Sequence, residues 1–331
     1  MTVLVTGATG FIGGHLCRTL RARGTPVRAL CRAPARAAAL RALGVELVEA
    51  DLARPPDLGG SWAAALADAD VVFHLAGQIL PGDDGVTGYR RNNVEATAHL
   101  LAACRGRALA AFVHVSSVGA MGALAELPAH EATPCAPDNP YGRSKHEAET
   151  LVRRACREEG LPAVIARPAW VYGPGDPRTL RLFAAIQRRR FARVGPGRTW
   201  LHPVHVEDVV EGLLRCAAEP KAVGQTYLLA GPEPVRLRDL VALIAELEGV
   251  RPPRLAIPPS LAWLLAAGAE AGFRLLGRRP PVYRRQLEFF WKDQLFDTGK
   301  AREELGFLAA TPLREGLRRT IAWYREHGLL A

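Results

Sequence analysis

Thr6-Gly7-Ala8-Thr9-Gly10-Phe11-Ile12-Gly13 directly follows the first apolar run of the chain, Thr2-Val3-Leu4-Val5. Glycines at 7, 10 and 13 allow a tight turn, a close approach of backbone to a ligand, and close packing of the helix that follows on the strand before it. The free N–H groups of that helix start, with their partial positive charge, suit a pyrophosphate. A glycine-rich stretch alone is weak evidence, because any tight turn uses glycine. What raises this one is its place, between the first strand and the first helix of a chain in which strands and helices alternate.

That alternation continues outward. Short apolar runs at 3–6, 27–31, 45–49, 71–75, 112–116 and 163–167 predict strands, and helical patterns near 12–23, 36–43, 62–66, 94–104 and 141–159 separate them. Several of the runs are apolar throughout rather than at every second residue, as in parallel strands covered on both faces. The expected fold class is therefore α/β, a Rossmann-type doubly wound parallel sheet with a smaller, mostly helical C-terminal substrate domain. After Arg167 the rhythm breaks at Pro168, Pro174 and Pro177. The dinucleotide-binding domain is expected at 1–170, with a returning segment near 203–230 that includes a strand at 226–229. The substrate domain is expected, discontinuously, within 171–331.

The end of the second strand separates two dinucleotides. An acid there accepts hydrogen bonds from a ribose 2′-hydroxyl, whereas an arginine pairs with a 2′-phosphate. The strand ends Ala29-Leu30-Cys31-Arg32, without an acid and with Arg28 also near, so NADP is expected as the preferred cofactor, with NAD the alternative. Asp51-Leu52 follows the third strand, where an adenine ring would lie. Leu75-Ala76-Gly77 follows the fourth, where backbone passes close to the cofactor.

Tyr141-Gly142-Arg143-Ser144-Lys145 places a phenol and an ammonium four residues apart, on one helix face. A cation beside a phenol favours the tyrosinate form, which suits proton transfer. The 43 basic residues comprise 39 arginines and only Lys145, Lys221, Lys292 and Lys300, so a lysine here suggests that a compact, tunable amine is needed. Ser117 ends the fifth strand, where such folds place chemistry, and a hydroxyl there suits a substrate carbonyl; Ser116 ranks second. Asn93 opens the fourth long helix, either as a simple N-cap or as the holder of a relay water.

The net charge of +10 first suggests a polyanionic partner. The arginines are scattered, however, with the densest run at Arg188-Arg189-Arg190 and a pair at Arg284-Arg285, and no aromatic residues interleave them. Nucleic-acid binding is not expected. Six cysteines stand singly, without metal-ligand spacing or a disulfide pattern, and no metal is expected. No signal peptide pattern precedes the first strand. The apolar segment 261–276 is too short to span a membrane and is interrupted by Glu270 and Arg274. A buried or interfacial helix is expected there, and a cytoplasmic protein.

With these motifs in order, the sequence resembles the extended short-chain dehydrogenase/reductase superfamily, of the NAD-dependent epimerase/dehydratase type. The resemblance runs through TGATGFIG (6–13), DL (51–52), HLAG (74–77), NVEAT (93–97), SS (116–117), YGRSK (141–145), RPAWVYGPGD (167–176) and HVEDV (205–209). It implies catalytic roles for Ser117, Tyr141 and Lys145, assistance from Asn93, and a nicotinamide lined by Pro168 to Val171. Residues 296–307 and the apolar helix are similar to the 3β-hydroxysteroid dehydrogenase, dihydroflavonol reductase and hopanoid-associated branch, whose members act on bulky, often apolar alcohols and ketones. Cys31 departs from that branch, where 3β-hydroxysteroid dehydrogenases often carry Asp.

The expected reaction is hydride transfer between NADPH and a ketone or secondary alcohol, with a small-molecule substrate met by Gln78, Ser117, Trp170 and His205. His205 is equally readable as a buried structural histidine. Dehydratases of this type carry an Asp-Glu pair after the fifth strand, where this chain has Val118-Gly119. A nucleotide-sugar epimerase using bound NAD remains an alternative, left open by Arg178, Arg181 and Arg198. A non-catalytic NADP-binding protein is a second, disfavoured by the presence of both Tyr141 and Lys145. The resemblance also implies a homodimer through a helix bundle.

Overall fold

The computed structural model describes residues 1–56, 60–81, 85–253, 255–275, 287 and 289–331. Arg284-Arg285 and the last residue of the apolar segment, Leu276, lie outside them. Seven strands form one parallel sheet. In chain order the first six are β1 (Thr2–Thr6), β2 (Val27–Cys31), β3 (Glu46–Glu49), β4 (Ala69–His74), β5 (Ala111–Val115) and β6 (Ala163–Pro168). The seventh, Thr226–Leu229, pairs with the outer side of β6, giving the spatial order seventh strand, β6, β5, β4, β1, β2, β3. The order reverses at β1, which lies between β2 and β4, and the crevice beyond its carboxyl end is where open α/β sheets bind ligands.

The central strands are buried along their length. Val3, Leu4 and Val5 of β1, Val72 and Phe73 of β4 and all five residues of β5 are covered, which explains why they read as continuous apolar runs. Leu4, Val72, Phe112 and Ile165 pack on one side against Trp62, Leu66, Leu100 and Val152 from the crossover helices.

The helices follow the sequence pattern with two instructive differences. The expected 36–43 helix divides into a 3₁₀ turn, Pro34–Arg36, and a short helix, Ala38–Ala42, with Pro34 fixing the first turn. The expected 94–104 helix is regular only over Ala96–Cys104. Before it, Arg90–Glu95 is a π-helical turn, and the Thr97 hydroxyl donates to the Asn93 carbonyl at 2.6 Å. Asn93 is therefore inside a helical run rather than capping one.

The chain forms two compact units. The first holds Met1–Ala169, Val206–Ala230 and Asp297–Ala309. Its last segment is tied to the seventh strand: Tyr227 Oη donates to Glu304 Oε2 at 2.7 Å, and Lys300 Nζ donates to Gln225 Oε1 at 2.8 Å. The second unit holds Trp170–His205, Gly231–Phe296 and Ala310–Ala331. Its core is made by helices Pro177–Gln187, Leu237–Leu247 and Leu313–Glu326, through Phe183, Ile186, Leu240, Ile244, Leu317 and Tyr324. No helix among the described residues is long and apolar enough to cross a membrane.

Candidate active site

The glycine turn is dictated by its surroundings at two of its three glycines. Gly7 has φ +70°, and a Cβ there would stand 2.6 Å from Ala76 N and Leu75 C. A Cβ at Gly13 would overlap the Gly7 carbonyl oxygen. Protein packing restricts Gly10 far less, since a Cβ would meet only the Gly7 oxygen, at 3.1 Å. Gly10 and Thr9 are exposed, and the helix Phe11–Ala22 starts at Gly10 without a side-chain cap. Its first N–H groups are thus left for an outside acceptor, and the turn fits a dinucleotide pyrophosphate.

Around the turn, the carboxyl ends of β1 and β4 are locked together. Leu75 N donates to Thr6 O at 3.2 Å, and Ala76 N donates to Thr6 Oγ1 at 3.2 Å. Thr6 Oγ1 and His74 Nδ1 are 2.7 Å apart, and His74 Nε2 and Thr97 Oγ1 are 2.9 Å apart. Because Thr97 uses its single proton on Asn93 O, it accepts from His74, whose proton therefore sits on Nε2. Thr6 then donates to the bare Nδ1. Burial, aided by the charge of Lys145, pushes the His74 imidazole down to about 3, so it is neutral in this relay. His74 is thus a structural link between the glycine turn and the Ala96–Cys104 helix.

The Pro140–Glu159 helix has a defined start. Asn139 Oδ1 accepts from Gly142 N at 2.9 Å, and Pro140 occupies the first turn. Tyr141, Lys145 and Glu149 then recur every four residues, all buried. Asn93 braces the first turn. Its Oδ1 accepts from Gln78 N at 2.6 Å, while Nδ2 donates to Gln78 O at 3.1 Å and to Ser144 Oγ at 2.8 Å. Ser144 passes the restraint on by donating to Tyr141 O at 2.8 Å. Both protons of the Asn93 amide are occupied within the protein.

Lys145 is 4% exposed and donates from Nζ to Val115 O at 2.9 Å, the only partner of that amine among the described residues. Two of its three N–H donors remain for a ligand. Burial pushes its amine down to about 8, with Glu149 pulling in the opposite direction. Burial raises the Glu149 carboxyl, but the hydrogen bonds and charge of Arg167 outweigh this and hold it below the usual carboxylate range. Arg167 grips Glu149 with Nε at 2.9 Å and Nη2 at 2.7 Å, in a pair at most 2% exposed.

Ser117, at the end of β5, accepts at Oγ from Gly119 N at 3.0 Å, which leaves its own proton to donate. A Cβ on Gly119 would lie 3.0 Å from Tyr141 Cε1 and 3.3 Å from Ser117 Oγ, so the phenol ring and the hydroxyl flank one point. Tyr141 also meets Tyr89 edge-on, with ring centroids 6.1 Å apart. Gly77 completes the cluster: a Cβ there would be 3.1 Å from Asn93 Oδ1 and 4.0 Å from Lys145 Nζ. The first unit thus brings together a phenol, a buried amine, a hydroxyl free to donate, and the glycine turn.

Other residues singled out by sequence are placed as follows. Arg32 is exposed after β2 and makes no ion pair among the described residues, whereas Arg28 is committed to Asp68 at 2.6 Å and Glu46 at 2.9 Å. Asp51 accepts from Ala53 N at 3.1 Å, and Leu52 is buried in the core. Gln78 joins Asn92, which donates to its Oε1 at 2.7 Å. Pro168 ends β6 beside Leu229. Trp170, Val171 and His205 belong to the second unit, where the strand Trp170–Tyr172 pairs with Pro203–His205 and His205 meets Tyr172 edge-on at 5.4 Å. Sequence reading missed Thr6, Thr97, Ser144, Glu149 and Arg167. The repeat of Tyr141, Lys145 and Glu149 at four-residue intervals was the available signal for the last pair.

Comparison with known proteins gives the family and the fold. The family described as NAD dependent epimerase/dehydratase matches residues 3–230. A 4-hydroxy-2-methyl-3-oxo-4-farnesyl-3,4-dihydroquinoline-1-oxide ketoreductase of Stigmatella aurantiaca is 32% identical, over 96% of this chain and 95% of its own. A 2-alkyl-3-oxoalkanoate reductase of Shewanella oneidensis is 29% identical, over 95% of this chain and 84% of its own. Steroid dehydrogenases and a putative dihydroflavonol 4-reductase are also relatives, at 28 or 29% identity. Among solved structures, gox2253 superimposes with a TM-score of 0.82 at 33% identity, covering 100% of this chain and 99% of its own. MoeE5, in complex with UDP-glucuronic acid and NAD, gives 0.77 at 30% identity, covering 99% and 100%.

Proposed function

The chain belongs to the NAD-dependent epimerase/dehydratase family, and from that premise we propose that it interconverts a bulky, apolar ketone and its secondary alcohol with NADPH. That it is an NAD(P)-dependent oxidoreductase follows from its relatives, which are reductases and dehydrogenases. The observation that carries the finer reading is the convergence of Tyr141, Ser117 and Lys145 at the end of β5, beside the glycine turn.

When bound, the dinucleotide supplies the hydride that adds to the carbonyl carbon. The turn Gly7, Thr9, Gly10, Phe11, Ile12 and Gly13 holds its pyrophosphate through backbone N–H groups. Arg32 would take the 2′-phosphate, Asp51 and Leu52 would border the adenine, and Leu75, Ala76 and Gly77 would pass beside the cofactor, with Pro168 at the nicotinamide. In reduction Tyr141 delivers its phenolic proton to the carbonyl oxygen, so that the C=O π bond gives way to a C–H and an O–H bond. Ser117 donates a hydrogen bond to the same oxygen and stabilises the charge that develops on it. The ammonium of Lys145 stabilises the tyrosinate left behind, and its two remaining donors suit the ribose hydroxyls. Asn93 keeps the first helical turn in register. Gln78 contributes to the substrate site.

Titration with NADPH and NADH, followed by the fluorescence of bound nicotinamide, tests the cofactor reading. NADPH preference is expected, and Arg32→Ser should weaken NADPH about tenfold or more while leaving NADH unchanged. Turnover is then sought with β-keto acids of long alkyl chain and with 3-oxosteroids. The relative whose structure holds UDP-glucuronic acid and NAD favours a second reading, a nucleotide-sugar epimerase. An NAD that co-purifies and resists removal, with no turnover of ketones, would support it.

A further inference from the structure

The helix Pro259–Leu275 in the second unit is turned the wrong way round for a helix that only packs. Its inward residues are small: Ala262 and Ala266, 7% and 5% exposed, lie against Val194 and Leu287. Four large residues of its first half face out. Leu264 is 63% exposed, Leu265 58%, Trp263 49% and Leu261 46%, and Leu255 just before the helix is 64% exposed. Scattered apolar residues on a surface need no explanation, but a contiguous set that a packing helix would have buried marks an interaction surface.

The charges in the segments joined to this helix identify what it meets. The strand Ala256–Ile257, which leads into the helix, pairs with Arg193–Val194, and Arg193 N donates to Leu255 O at 3.0 Å. Immediately before that pair the chain carries Arg188-Arg189-Arg190, all exposed, and Arg251 is exposed on the other segment. None of these four arginines makes an ion pair among the described residues. Leucines and a tryptophan pointing outward, with uncompensated guanidinium groups in the segments that adjoin the helix, suit a helix lying in the plane of a bilayer surface. Tryptophan suits the headgroup boundary, and clustered arginines suit anionic lipids. A second copy of this chain would instead bring another uncompensated arginine cluster to the same face, which opposes self-association there.

We propose that the outer face of Pro259–Leu275, with Arg188 to Arg190 and Arg251, docks the protein on an anionic lipid bilayer surface without crossing it. The inference stands apart from the hydride-transfer reading and uses none of its residues. The full chain is sedimented with vesicles of phosphatidylcholine, alone or with about one third phosphatidylglycerol. Binding to the anionic vesicles is expected, weak on neutral ones and reversed by salt. Leu264→Ser/Leu265→Ser should weaken it about tenfold or more. Arg188→Ala/Arg189→Ala/Arg190→Ala should weaken it by roughly a hundredfold. Melting temperature and NADPH affinity of both variants should match the parent, which separates a docking defect from misfolding. The proposal is overturned if the parent fails to sediment with anionic vesicles, or if the leucine variant binds them as the parent does. It is equally overturned if light scattering finds that the leucine variant splits a dimer while vesicle binding is unchanged.

Discussion

Two helices of this protein break the ordinary rule of burial in opposite senses. Pro140–Glu159 buries a tyrosine, a serine, a lysine and a glutamate, whereas Pro259–Leu275 exposes a tryptophan and three leucines. Neither choice serves stability. Burying Lys145 costs free energy that its contact with Val115 O only partly returns, and exposing leucine forgoes the gain of covering it. Each departure marks a task. The first helix holds polar groups in a dry, pre-set frame that suits the proposed chemistry, and the second offers apolar surface to something outside the chain.

Removing the charge that anchors the first helix should have the largest effect on stability. Glu149→Gln leaves the Arg167 guanidinium buried without its counter-charge and should cost about 3–5 kcal/mol, read from urea midpoints. Adding Arg167→Met should restore much of the loss, and a double variant as weak as the single one would mean that the pair is not the cause.

Lys145→Met should lower turnover by about two to three orders of magnitude, yet leave the melting temperature at pH 7 unchanged or raised. The sign follows from the buried amine, held at about 8 against its usual 10.5. Between those values the unfolded chain keeps a proton that the native state has lost, so this group adds stability as pH rises through the window. Below about 8 the native state bears a buried charge, a burden of order 3 kcal/mol that methionine removes. A clear fall in melting temperature would contradict this.

Acid should act through two buried imidazoles. Burial, aided by the charge of Lys145, pushes His74 down to about 3 and His114 well below its usual value. The unfolded chain gains these protons first, so the native state should lose stability as pH falls from about 6.5 towards 3. Stability measured by urea titration across that range checks it. The smallest effect belongs to the other helix: Leu264→Ser should change stability by no more than about 0.5 kcal/mol, because that side chain is already in water. A larger loss would mean that the outer face is packed within the molecule.

Most of the parallel sheet was legible in the sequence because its strands are covered on both faces and read as unbroken apolar runs; β2 and the strand Thr226–Leu229 fall where the pattern put them. Helix starts were less legible. The helix that carries Tyr141 and Lys145 begins at Pro140 because Asn139 caps it, a signal present in the sequence that the apolar pattern alone passes over. The π-helical turn at Arg90–Glu95 has no periodic signature, and its Asn93 finds a partner, Ser144, far away in the chain. The glycine turn, Tyr141 and Lys145 stood out because their chemistry is local, within a few residues. The relay through Thr6, His74 and Thr97 could not, because its members meet only once the sheet has formed.

Tyr141 is the proposed proton donor. Tyr141→Phe keeps the ring and removes one oxygen, so NADPH titration and ketone turnover on this variant separate binding from chemistry. The expected result is NADPH affinity within about threefold of the parent and kcat lower by about three orders of magnitude. Turnover that survives the substitution, with NADPH still bound, would contradict it and place the proton on another group.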